Sequence, residues 1–95
     1  MNKYEITFIV KPDLEEAQIT KTADDLKKML KSAKAKLVSE KADGQKELAY
    51  EIKKYSTGYY FLLVVEADKE TIAEFDRIAR INENLLRHLV VKVED

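Results

Sequence analysis

One histidine, no cysteine and paired carboxylates such as Glu15-Glu16 and Asp24-Asp25 are what the chain offers for acid–base or metal chemistry. A nucleophilic triad needs a base held beside its nucleophile, and His88 stands alone in a strand pattern, where a sheet-surface residue is the plainer reading. With no second histidine and no thiolate, metal binding by imidazole or thiolate is poorly supported. Glu15-Glu16 and Asp24-Asp25 fall at helical positions near Lys27, Lys28 and Lys31, so they read as a solvated helix face. Gly44 and Gly58 are the only glycines, and neither belongs to a phosphate-cradling loop. The expectation is a protein that binds rather than catalyses, with no cofactor, no metal and no small-molecule substrate.

The residues suited to contact are of another kind. Lys46, Lys53, Lys54, Arg80, Arg87 and Lys92 fall near predicted strand ends and turns, with Tyr50, Tyr55 and Tyr59 among them. Cations pair with phosphates and tyrosine rings stack on unpaired bases, which is the equipment RNA contact requires. Glutamates alternate with these lysines, so the same pattern also fits an ordinary wet rim. A formal net charge of −1 argues against a globally basic nucleic-acid binder. Locally the balance differs: Asp13, Glu15, Glu16, Asp24 and Asp25 gather early, while Arg77, Arg80, Arg87 and Lys92 make the last third mostly basic. Screening over about 8 Å lets such a region meet phosphate regardless of the total.

Ninety-five residues, 45% of them apolar, suit one small globular domain over 1–95. The longest apolar run, 59–65, is far short of the roughly 20 residues a membrane helix needs. The first residues enter a strand pattern at once with no cleavable signal, and the lack of cysteine suits a reducing compartment; a cytoplasmic location is expected.

Alternation of Tyr4, Ile6, Phe8 and Val10 with polar residues predicts a first strand, ended by Pro12. Asp13 with Glu16 predicts the start of a helix of about 18–20 residues whose buried stripe holds Ile19, Thr22, Ala23, Leu26, Met29, Leu30 and Ala33. Residues 36–41 read as a weak strand. Asp43-Gly44 allows a hairpin or a bulge, and the bulge is preferred because a hairpin would leave a nearly coreless charged strand at an edge. One strand then runs to about Ile52, Gly58 marks a turn, and 59–65, apolar on both faces, reads as a central strand. Asp68 opens a second helix carrying Ile72, Phe75, Ile78 and Ala79 inward and an Asp76–Arg80 pair outward, and Asn82 and Asn84 suit a left-handed exit. A last strand contains His88 to Val93.

The order β-α-β-β-α-β is the split arrangement of an α+β, ferredoxin-like two-layer sandwich, two helices on one face of a four-stranded antiparallel sheet. Two helices cover one face only, so the other must show apolar residues: Tyr60, Leu62 and Val64, extended by Ile9 and Val90, form the expected protein-partner surface.

Taken together, Lys3-Tyr4-Glu5, then Gly44 with Leu48-Ala49-Tyr50 and Ile52, then Gly58-Tyr59-Tyr60, then Asp76-Arg77, Arg80, Leu85-Leu86-Arg87-His88-Leu89 and Val91-Lys92 resemble bacterial small-subunit ribosomal protein S-six, over nearly the whole chain. The resemblance implies a structural role: binding ribosomal RNA of the small subunit's central domain as a heterodimer with ribosomal protein S-eighteen. It makes Tyr50, Lys53, Lys54, Arg80, Arg87 and Lys92 the expected RNA-facing set. Where relatives commonly carry a basic run and a proline, this chain has Gln45-Lys46-Glu47 and Glu51, which moves the expected phosphate contact toward Arg80, Arg87 and Lys92. Two rivals share the fold. Residues 57–64 partly fit the third-strand signature of an RNA-recognition motif, but lack its leading basic residue and final aromatic. A homodimeric ferredoxin-like regulatory or ligand-binding module could use the same apolar face.

Overall fold

The computed structural model describes residues 2–93. Its elements follow the predicted order: β1 Asn2–Val10, α1 Glu16–Ser32, β2 Lys36–Ile52, β3 Tyr55–Ala67, α2 Lys69–Ile81 and β4 Leu85–Val93. The strands form one sheet in the order β2-β3-β1-β4, with every neighbouring pair antiparallel.

Strand alternation sorts the side chains into two faces. Tyr4, Ile6, Phe8 and Val10 of β1 point toward the helices, opposite Val65, Leu63, Phe61 and Tyr59 of β3. Ile19, Ala23, Leu26 and Leu30 of α1 and Phe75 and Ala79 of α2 close over them. Phe8 stacks on Phe61 with ring centroids 5.1 Å apart. Lys3, Glu5, Thr7 and Ile9 occupy the opposite face of β1 with Tyr60, Leu62 and Val64 of β3, and no helix lies over them.

The Asp43-Gly44 signal is a bulge: β2 is continuous from Lys36 to Ile52, its register shifts between Ala42 and Gly44, and Gly44 sits at φ +79°. The turn lies elsewhere than predicted. Ile52 pairs with Tyr55, so Lys53-Lys54 make a two-residue hairpin loop, both at positive φ (50° and 72°). Such loops ordinarily recruit Asn and Gly, and two lysines give no such cue in sequence. Gly58 instead lies inside β3, opposite Lys46. A Cβ there would stand 2.3 Å from Ile9 Cγ2, so the glycine is required by the close approach of β1 rather than by a turn.

The helix ends also differ from expectation. Glu15 occupies the cap of α1, and Asp13 accepts a hydrogen bond from the Tyr55 hydroxyl at 2.7 Å instead of capping. Asp68 does precede α2, without a side-chain cap bond. Asn82 is extended, not left-handed. It accepts from the Asn84 backbone N–H at 2.9 Å, while Asn84 Nδ2 donates to Thr22 Oγ1 at 3.1 Å and pins the loop before β4 to α1. The left-handed residue is Lys34 (φ 66°), after α1. Ala35 N–H bonds to Leu30 O and Lys34 N–H to Lys31 O, the paired bonds of a Schellman ending.

Candidate RNA and protein-partner interface

Two irregularities assemble the basic end of the molecule. Between Glu47 and Ile52, β2 advances five residues while β3 advances two, so the segment holding Tyr50 bows out of the ladder. On β4 the register slips between Ile9 and Val10 of β1, whose partners are Arg87 and Leu85. That bulge inserts Leu86 next to Arg87, which faces Ile9 and continues the open-face alternation of Leu89 and Val91.

The two meet. The Arg87 guanidinium donates to the Tyr50 hydroxyl and lies 5.9 Å from the centre of its ring, while Tyr50 remains 59% exposed. Beside them, Lys53 from the hairpin loop, Arg80 from the last turn of α2 and Arg87 from β4 line one shallow groove over Leu85 and Leu86. Arg80 is also ion-paired to Asp76, whose other oxygen lies 2.7 Å from Nε2 of His88. Chiefly because of the His88 hydrogen bond, and further because of the Arg80 charge, the Asp76 carboxyl is held below its ordinary value of 3.8. At the neighbouring tie the Tyr55 hydroxyl is pushed above 10.0, first by its hydrogen bond to Asp13.

Of the predicted RNA-facing residues, the fold thus brings Tyr50, Lys53, Arg80 and Arg87 together, with Lys54 exposed in the same loop. Lys92 is apart. It lies five residues along β4 from Arg87, about 16 Å at strand rise, and lines a different hollow with Lys69, Ile72 and Asp76.

Of the predicted partner surface, Tyr60, Leu62 and Val64 do lie on the open face, each half-buried. Val90 does not: it pairs with Ile6 and packs against the core. Leu89 (57% exposed) and Val91 (48%) take its place, opposite Thr7 and Glu5. The inversion arises because β4 is an edge strand that the helices cover incompletely. Its inner face therefore tolerates His88 and Lys92, and polarity misreports direction. Ile9 shares the open face but is buried where β3 approaches it. His88 is correspondingly not on the open sheet surface; it sits under α2 with Asp76.

The open face also weighs against base stacking of the RNA-recognition-motif kind. Its only aromatic on the two central strands is Tyr60, since Tyr59 and Phe61 point inward and β1 presents Lys3, Glu5, Thr7 and Ile9.

The family model described as ribosomal protein S6 matches residues 3–92. The chain belongs to the ribosomal protein S6 family. It is 42% identical over 95 residues to the small ribosomal subunit protein bS6 of Halalkalibacterium halodurans, covering all of both chains. A structural relative, the 30S ribosomal protein S6 of Thermotoga maritima, superposes with a TM-score of 0.92 at 25% identity, over 97% of this chain and 87% of that one. Family membership makes this chain a structural, non-enzymatic ribosomal protein of the small subunit, in keeping with its poverty of catalytic residues. No helix among the described residues is long and apolar enough to cross a membrane.

Proposed function

We propose that the chain, as one ferredoxin-like unit over 1–95, binds ribosomal RNA in the central domain of the small subunit as a heterodimer with ribosomal protein S-eighteen. The observation that carries the RNA half is the groove in which Lys53, Arg80 and Arg87 converge from three separate elements beside the exposed Tyr50. Three cations drawn together from a turn, a helix and a strand make a phosphate-binding surface out of a chain with net charge −1. The partner half is supported by the uncovered sheet face, where Leu89 and Val91 of β4 and Leu62 and Val64 of β3 flank Thr7 and Glu5 of β1. Apolar side chains left exposed on one face in this way fit a protein contact better than RNA.

The test combines the chain, S-eighteen and a central-domain RNA fragment, following affinity as salt is varied. Arg87→Ala should weaken binding and lower the slope of log affinity against log salt by about one unit. An unchanged slope on replacing each of Lys53, Lys54, Arg80, Arg87 and Lys92 in turn would overturn the RNA assignment, and failure of the two proteins to form a complex would overturn the heterodimer.

A further inference from the structure

Asp76 is an oddity so near a groove meant for phosphate, since from the adjoining hollow it sets a negative charge beside Arg80, one of that groove's cations. Its surroundings explain it. The helix carries it one turn before Arg80, and its two oxygens divide: Oδ1 lies 2.7 Å from His88 Nε2, and Oδ2 accepts from Arg80. His88, on the helix-covered face of β4, has a side chain only 17% exposed, whereas Arg80 is 73% exposed. The carboxylate therefore links a fixed group below to a long, solvated one above. Lys21–Asp25 offers an internal contrast. It has the same i,i+4 spacing, but both side chains are more than half exposed, and among the described residues no third side chain holds Asp25.

We propose that Asp76, anchored by His88, is a positioning residue that holds the Arg80 guanidinium over the groove so that its fork faces incoming phosphate. The proposal rests on the RNA-binding reading above. An unanchored arginine surrenders its rotamer freedom when it binds; one already held surrenders less and binds more tightly. The Asp76 charge is unfavourable to phosphate, and the gain from fixing Arg80 outweighs it.

The two effects of Asp76 have opposite signs, which makes them separable. If Asp76 were only a nearby negative charge, Asp76→Asn would tighten RNA binding. As a positioning residue, its loss should weaken binding roughly two- to tenfold and lower the salt slope toward that of Arg80→Ala. In an Arg80→Ala background the same change should cost nothing. His88→Gln, which keeps a donor near Nε2, should preserve affinity, and His88→Leu should reproduce Asp76→Asn. Without RNA, the Arg80 Nε–H nuclear magnetic resonance signal should be ordered in the unmodified chain and in His88→Gln, and motionally averaged in Asp76→Asn and His88→Leu. The measurements use the complex with S-eighteen and the central-domain fragment, with thermal melting of each variant as the folding control. Tighter or unchanged binding by Asp76→Asn, or a loss that persists without Arg80, overturns the proposal while leaving RNA binding standing. Absence of salt-dependent binding by the unmodified complex overturns both. Should Asp76→Asn fail to fold, the contrast between His88→Leu and His88→Gln decides in its place, equal binding by the two overturning the proposal.

Discussion

Lys34 occupies a backbone conformation that glycine adopts at no steric cost, and it does so to complete the Schellman ending of α1. Lys34→Gly should relieve the left-handed strain and lose part of the gain to greater freedom in the unfolded chain. A net stabilisation of about 0.5 kcal/mol is expected, visible as a melting temperature raised by roughly 2–4 °C. Asp76 bears on stability through acidity. Its carboxyl is held below 3.8 by His88 and Arg80, with Lys69 and Lys92 lining the same hollow. A carboxylate with a depressed folded-state value stabilises fully above its unfolded value and loses that contribution as pH falls through the folded one. Stability should therefore decline below about pH 4, and Asp76→Asn should flatten that part of the curve and lower the plateau above it, as read from denaturant midpoints across pH.

At the scale of elements, the β2–β3 hairpin holds the main departures from the sequence reading. Lys53 and Lys54 both lie in the left-handed region, where each non-glycine residue costs about 1 kcal/mol. Replacing them together, Lys53→Asn with Lys54→Gly, matches the turn's preference and should stabilise the hairpin by about 1 kcal/mol. The same change removes two cations from the proposed groove, so RNA affinity should fall and its salt slope drop by about one to two units. Greater stability with weaker binding is the signature of a loop that keeps strain for function. If binding were unchanged, the turn lysines would be ordinary solvated residues. The helices bear the opposite lesson, since their buried stripes were legible to within a few residues. Periodicity over four turns is redundant, whereas a two-residue turn has only its two side chains to announce it.

Across the whole molecule, the placement of both helices on one side leaves a sheet face on which Leu89 and Val91 are about half exposed and contribute little to folding. Leu89→Arg should accordingly change stability by no more than about 0.5 kcal/mol while abolishing the complex with S-eighteen, as native mass measurement would show. A large loss of stability would instead mark Leu89 as part of the core. By itself the sequence determined the element order, the ferredoxin-like class and the lack of catalytic equipment, because each follows from local periodicity or from residue types simply counted; at Asp43-Gly44 it favoured the bulge over a hairpin, and the β2–β3 pairing decided it. The family resemblance was likewise legible, its residues lying in order along the chain. Only the tertiary structure decided that Gly58 serves strand approach, that Val90 faces inward while Leu89 and Val91 face out, and that Arg80, Arg87, Lys53 and Tyr50 meet while Lys92 does not. Those facts depend on which strands pair, in what register, and which sheet face the helices cover, and a slip of one residue in that register reverses every face. Pairing partners, not the strand's own residues, determine where such a slip occurs.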